Sequence, residues 1–249
     1  MGTFCLVPVL SREEFDAIEF EAAFSGDHEA AAQRMSRLAV TGIQSESMPR
    51  AEAFLRAGEQ WLLADDPAAA ASGFRLALAD GGPVFVDPRV PLSRALFQLG
   101  RSAEAQTLIS ELKAEGRRDP RLCDLVAEVL VERSDLPAAL DWATAGVEQC
   151  LRRKAEGGDH GDAAAGPAES GDDQSELRML LSLRYRIRND LGLPEDDYDR
   201  LLDEAPPGAD GAAADGRAAA TTSESDASSR STRTTSPSAM APDSRPRAS

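Results

Sequence analysis

The segment AGEQWLLADDPAAAASGFRLAL, residues 57–78, sets small residues against aromatic residues at helical spacing. Gly58 precedes Trp61, and Ala70 precedes Phe74. Two helices approach closely only where one presents Gly or Ala and a large side chain of the other fills the space. Glycine lowers helix stability by about 1 kcal/mol relative to alanine. Gly58 therefore predicts a close helix–helix contact that offsets this cost, with Gly58 and Ala70 as contact points.

The same arrangement recurs along the chain. Between the two helices, Asp65-Asp66-Pro67 predicts a turn with an aspartate cap and a proline in the first helical turn. If Ala51 is the first position of this unit, Val86 and Pro120 are its equivalents, and Pro120 lies 34 residues after Val86. Turn, small and large positions then fall on Gly100, Ala105 and Ile109, and on Gly26, Ala31 and Met35 in an earlier, weaker unit that opens with a Ser11–Glu14 capping box. In the unit that begins at Pro120, the turn falls on Ser134 and the small position on Ala139, whereas Trp142 lies one residue before the expected large position.

This pattern resembles the tetratricopeptide repeat, which has a period of about 34 residues and the motif W-x2-L-G-x2-Y followed by A-x3-F. The chain reads Phe54-x2-Ala57-Gly58-x2-Trp61 and then Ala70-x3-Phe74. The resemblance covers residues 12–150 and implies an all-α solenoid of three to four helix-turn-helix repeats. One repeat departs from the motif, because Arg89 replaces its first aromatic residue. Pro88 and Pro91 there predict that the helix starts late.

The rest of the chain divides by composition. Residues 1–11 are an N-terminal extension, and residues 151–173, rich in Gly, Ala and Asp, predict a linker. Residues 174–204 predict a pair of helices that caps the solenoid. Gly192 ends the first of these helices, which has one apolar face. That face consists of Leu177, Leu180, Leu181, Ile187 and Leu191. Residues 205–249 have almost no apolar side chains to bury, so this tail is expected to be disordered.

The net charge of −16 falls on the part of the chain before the tail, because acids and arginines balance within the tail. Nucleic acid is an unlikely partner for such a surface, since affinity for phosphate backbones comes from Lys and Arg. Arg184 and Arg188 share one side of a predicted helix, where pairing with neighbouring acids on a solvated face is expected.

Residues that could carry chemistry are few. His28 lies in a turn, where a solvated residue beside a helix cap is expected, and His160 lies in the predicted linker. Cys123 and Cys150 fall in helical patterns, where buried thiols behave as small apolar side chains. The sequence supports no catalytic residue, no cofactor site and no metal site, although a weak metal reading of the segment GDHGD around His160 stays open.

In tetratricopeptide-like solenoids the first helix of each repeat lines a concave groove. The resemblance implies that this groove binds a peptide, and it implies these groove positions: Glu52, Leu55, Glu59, Leu62 and Leu63, then Asp87, Val90, Arg94, Phe97 and Gln98, then Arg121, Asp124, Glu128, Val131 and Glu132. The set mixes apolar and mostly acidic side chains. It predicts a partner segment with apolar anchors and positive charge.

The expected function is therefore non-catalytic: a scaffold or adaptor that binds an unidentified protein in the cytoplasm. No apolar run reaches the roughly 20 residues of a membrane span, and no membrane partner is expected. Four alternatives remain. The protein could bind its partner along the convex face, or it could be an RNA-binding helical-repeat protein. It could also be a regulatory subunit of an enzyme, or have a catalytic site assembled from distant helices.

Overall fold

The computed structural model describes residues 9–157 and 169–204, with the side chains of residues 9–156 and 174–202. The predicted tail and His160 lie outside the described residues. Within them the chain is all-helical apart from one isolated bridge between Val9 and Ile43, so the predicted all-α fold is confirmed. The helices are α1 (Arg12–Ser25), α2 (His28–Thr41), α3 (Arg50–Leu63), α4 (Pro67–Asp80), α5 (Arg89–Gln98), α6 (Ser102–Ala114), α7 (Pro120–Glu132), α8 (Leu136–Gly157), α9 (Glu169–Asp190) and α10 (Asp197–Glu204).

The helices pack in succession as pairs. Helix α1 packs on α2, α3 on α4, α5 on α6 and α7 on α8, while α2 also contacts α3 and α4 contacts α5. Helix α9 then packs on α7 and α8, and α10 packs on α9. This order is consistent with a helical repeat followed by a terminal pair of helices.

Gly58 lies in a close contact between α3 and α4. A Cβ atom added there would lie 2.5 Å from Cε1 and 2.7 Å from Cδ1 of Phe74, whose side chain is fully buried. Gly73 on the facing helix is also close, because a Cβ added to it would lie 3.3 Å from Cα of Gly58. The close helix–helix contact predicted at Gly58 is therefore present, and Phe74 is the large residue opposite it.

Trp61 packs in a different direction from Phe74. Its indole N–H donates a hydrogen bond of 3.1 Å to Oγ of Ser36 in α2, and the ring is only half-buried. Trp61 therefore reaches the preceding pair of helices through its indole N–H.

The turn and core positions of the repeats are as predicted. Asp66 caps α4 by accepting hydrogen bonds from the backbone N–H groups of Ala68 and Ala69, at 3.1 and 2.9 Å. Ser11 caps α1 by accepting from the N–H of Glu14 at 3.2 Å. Helix α5 starts only at Arg89, after Pro88. The small and large positions are all buried: Ala31, Met35, Ala70, Phe74, Ala105, Ile109, Ala139 and Trp142.

The helical region extends beyond the predicted boundary at residue 150. Helix α8 continues to Gly157 and α9 begins at Glu169, so both ends of the predicted linker are helical. Gly146 lies where α8 meets its neighbours: a Cβ added there would be 2.9 Å from Cβ of Cys123 in α7 and 2.9 Å from Cδ2 of Leu180 in α9. Glycine at this position lets α7, α8 and α9 pack together.

Arg184 joins the last two helices through buried ion pairs, and not on the solvated face predicted for it. It is 4% exposed and donates to Asp196 at 2.5 Å and to Asp199 at 3.2 Å. Arg188 adds ion pairs with the same two carboxylates. The hydrogen bonds from Arg184 lower the pKa of Asp196 to about 2. These charges are buried because α10 folds over α9.

Candidate functional site

A cavity of about 370 Å³ lies among the first helices of the four pairs. Its walls combine apolar side chains of three helices with a few charged groups. The lining residues are Glu19 of α1, then Glu59, Gln60, Leu62 and Leu63 of α3, Val86 of the following loop, Val90, Pro91 and Arg94 of α5, and Leu125 and Val129 of α7.

Five of the predicted groove residues line this cavity: Glu59, Leu62, Leu63, Val90 and Arg94. Leu63 is 60% exposed, which is high for an aliphatic side chain in a concave site. Helix α3 can offer these residues because its opposite face, including Phe54 and Ala57, is buried in the core.

Other predicted groove residues do not offer a binding surface. Leu55 is 1% exposed and belongs to the core, so its prediction as a groove residue is wrong. Phe97 is 8% exposed, and the guanidinium of Arg133 stacks over its ring at 5.2 Å. Asp124 is buried as well. Helices α3, α5 and α7 each pack against at least two other helices, so part of the predicted groove face of each is buried.

The remaining predicted residues lie outside the cavity lining. Glu52 accepts a hydrogen bond of 2.9 Å from the backbone N–H of Phe85, and the guanidinium of Arg121 lies 4.0 Å over the Phe85 ring. The Asp87 carboxylate is buried between Arg89 and Arg117. Gln98, Glu128 and Glu132 are exposed, and Val131 is half-buried.

The sequence interpretation missed Leu125 and Val129. Each of these lining residues is one position after a predicted residue, Asp124 or Glu128. Helix α7 is therefore turned, relative to the repeat pattern, so that an apolar i, i+4 pair faces the cavity. The apolar pair Leu125 and Val129 in the sequence could have identified this face of α7. Glu19, Gln60, Val86 and Pro91 were also missed.

Arg56 fixes the side of the cavity where α1 meets α3. It is 9% exposed, donates to Asp16 at 2.6 Å and to Glu19 at 2.7 Å, and lies 5.7 Å from the centre of the Phe15 ring. Burial opposes its positive charge, but the hydrogen bonds to Glu19 and Asp16 outweigh this and raise its pKa. Arg56 therefore holds Glu19 in place on the cavity wall.

Arg94 is held on the opposite side by α7. It forms an ion pair of 3.0 Å with Glu132 and a longer one of 4.0 Å with Glu128. The Arg94 charge on the cavity wall is therefore already matched by carboxylates.

Glu59, by contrast, makes no ion pair or hydrogen bond with any described residue. Its pKa is raised to about 7, first by desolvation in the concave site and then by the negative charges of Glu19 and Glu52. Arg56 and Arg121 oppose this rise. More than a third of the residue is exposed to solvent, so the desolvation of its carboxylate is partial. Glu59 is therefore a carboxylate at the edge of an apolar cavity, without a direct partner in the part of the chain that the structure describes.

His28 has a structural partner. Its Nδ1 lies 3.0 Å from Oε1 of Gln60, and the ring is half-buried, which corrects the expectation of a solvated residue. Burial raises the pKa of the Cys123 thiol to about 12, which makes it unreactive, as expected for a core cysteine. Among the described residues no group of three or more His, Cys, Asp or Glu side chains could hold a metal ion.

Within the described ranges, each helix is too short or too polar to cross a bilayer. Comparisons of the chain with protein-family models, with curated proteins and with solved structures found no match.

Proposed function

We propose that this protein is a non-catalytic, tetratricopeptide-like scaffold of the cytoplasm that binds a segment of another protein in the cavity among α1, α3, α5 and α7. The observation that carries the proposal is the cavity itself: a concave site to which four helices contribute, with apolar side chains and a carboxylate, Glu59, that no described residue pairs. Concave helical surfaces of this kind suit extended or helical segments, which place alternate side chains in such sites.

The composition of the walls supports a protein ligand. Leu62, Leu63 and Leu125 give apolar contact area, which would bind the apolar anchors of a segment. Val90 and Val129 line the same cavity but are almost fully buried.

The charges favour a basic partner. The guanidinium groups of Arg56 and Arg94 are paired within the protein, whereas Glu59 has no partner among the described residues. The cavity therefore offers negative charge to a ligand, and complementary charge increases both association rate and specificity.

Capture of partners from native cytosol by the full chain tests the proposal. The test variant replaces Glu59, Glu128 and Glu132 with glutamine. The control variant replaces Glu111, Glu148 and Glu156, three exposed glutamates on the second helices α6 and α8, and so removes the same charge elsewhere. We expect the unmodified chain and the control variant to retain one saturable, salt-sensitive partner, and the test variant to lose most of it.

Equal capture by the test and control variants would contradict binding in the cavity. A partner lost from both variants would indicate that total charge, and not the cavity, determines binding.

A further inference from the structure

We propose that the cavity is a recognition pocket for one lysine or arginine side chain of the partner, with the methylene stem against the apolar wall and the cation beside Glu59. The inference rests on the proposed function and deepens it, because it names the chemical group that the site selects.

The apolar wall suits the stem of a long cationic side chain. Leu62, Val90 and Leu125 come from three different helices and line the same cavity. Lysine and arginine bury their methylene groups along apolar surface while the charged group stays near water or a partner. The volume of about 370 Å³ lies at the low end of ligand sites, which are roughly 300–1,000 Å³. It therefore suits a side chain and its adjoining backbone better than a larger body.

The charged groups around Glu59 favour a cation over any other ligand. Glu19 from α1 and Glu52 from α3 add negative charge to the site. Arg56 from α3 is engaged by Asp16 and Glu19. Arg94 from α5 is engaged by Glu132.

Arg121 is the cation of α7 that faces Glu59. It stacks on Phe85 and does not reach ion-pair distance of Glu59. A ligand cation would therefore be the first direct partner of the Glu59 carboxylate among the groups described.

Binding should respond to pH near neutrality. The pKa of Glu59 is about 7, so the carboxylate is mostly charged at pH 8 and mostly protonated at pH 6. A bound cation favours the charged form. Affinity should therefore fall as the pH decreases through 7, by up to about tenfold between pH 8 and pH 6.

The experiment uses n-pentylammonium as a mimic of the lysine side chain and n-pentanol as an uncharged control of similar length. Both are titrated into the full-length protein with labelled leucine and valine methyl groups, followed by NMR. The reporters are the methyl groups of Leu62, Val90, Leu125 and Val129. Pentylammonium stays charged at both pH values, because alkylamines titrate near pH 10.

We expect pentylammonium to shift the four reporter residues saturably at pH 8 and to bind about tenfold more tightly than pentanol. Glu59→Gln should remove this preference while leaving the fold intact, and Glu111→Gln on α6 should preserve it. At pH 6 the unmodified protein should behave like Glu59→Gln.

Equal affinity for the two probes, a preference that survives Glu59→Gln, or no shift of the reporter methyl groups would each overturn the inference. These results are separable from failure of the proposed function. A partner captured through the cavity but insensitive to Glu59→Gln would leave the scaffold standing without a cation pocket, whereas capture equal between the triple test and control variants would contradict the scaffold itself.

Discussion

Replacement of Gly58 by alanine tests why this chain needs glycine within a helix. In an isolated helix the change would stabilise the protein by about 1 kcal/mol, because alanine has the higher helix propensity. In this protein the new methyl group would lie 2.5 Å from Cε1 of Phe74, far inside van der Waals contact. The Phe74 ring is fully buried, so it cannot move aside into solvent.

The two effects oppose each other, and their magnitudes decide the sign. Overpacking of a well-filled core costs about 1–3 kcal/mol. Because the clash involves the body of a rigid ring, we place the cost towards the upper end of that range. Gly58→Ala should therefore destabilise the protein by about 1–2 kcal/mol net. This is a decrease of about 2–8 °C in melting temperature for a folded region of this size.

Urea denaturation followed by circular dichroism measures the change, and Phe74→Leu supplies the control background. With the ring replaced by a smaller side chain, Gly58→Ala should become neutral or stabilising by up to about 1 kcal/mol. The double-mutant cycle should then give a coupling of about 2 kcal/mol between the two positions. Stabilisation of the unmodified protein by Gly58→Ala, or a coupling near zero, would refute the close-contact explanation.

Three further predictions concern charge and reactivity. The pKa of Glu59 is raised from its usual 4.5 to about 7, so the folded protein favours the protonated carboxyl group. The stability that this gives is fully present below pH 4.5 and is lost as the pH rises through 7. Glu59→Gln should therefore stabilise the protein at pH 8, by about 1 kcal/mol after solvent screening is allowed for, and have no effect near pH 4.5 in urea titrations. Asp199→Ala removes a buried partner of Arg184 and Arg188 and should destabilise the packing of α10 on α9 by about 3 kcal/mol. Limited proteolysis should then cleave the chain faster near α10, and an unchanged cleavage rate would contradict this prediction. Cys123, with a pKa of about 12, should react with a thiol reagent at pH 8 only after unfolding. Rapid labelling of Cys123 in the folded protein would show that this thiol is not buried.

The sequence predicts the helical pairs because their signals are local. A proline or aspartate at a helix start, and a small residue facing a large one, act over a few residues and recur with the repeat. Gly58 and Phe74 meet as expected for this reason. Trp61 shows the limit of the pattern, since its side chain hydrogen-bonds to Ser36 in the preceding pair. The direction of a side chain depends on how successive pairs are rotated, and a repeat motif does not encode that rotation.

The candidate site was predicted less completely than the fold. Glu59 and Arg94 lie on the cavity wall, whereas Leu55 is in the core and Leu125 was missed. Helix α7 is rotated by one residue relative to the repeat pattern, so Leu125 and Val129 line the cavity in place of Asp124 and Glu128. The pairing of Arg56 with carboxylates of α1 was also beyond reach, because it joins residues 37 and 40 positions apart.

The most direct test of the account is site-specific photo-crosslinking from two leucines of one helical pair. Leu63, 60% exposed, lines the cavity, and Leu76, 46% exposed on α4, does not. Each is replaced in turn by p-benzoylphenylalanine in the full chain, which is then irradiated in the cells that make the protein. The account predicts a discrete crosslinked partner protein from position 63, weakened by Glu59→Gln, and none from position 76. Equal products from both positions, a product only from position 76, or a product from position 63 that contains only this chain would contradict the central claim.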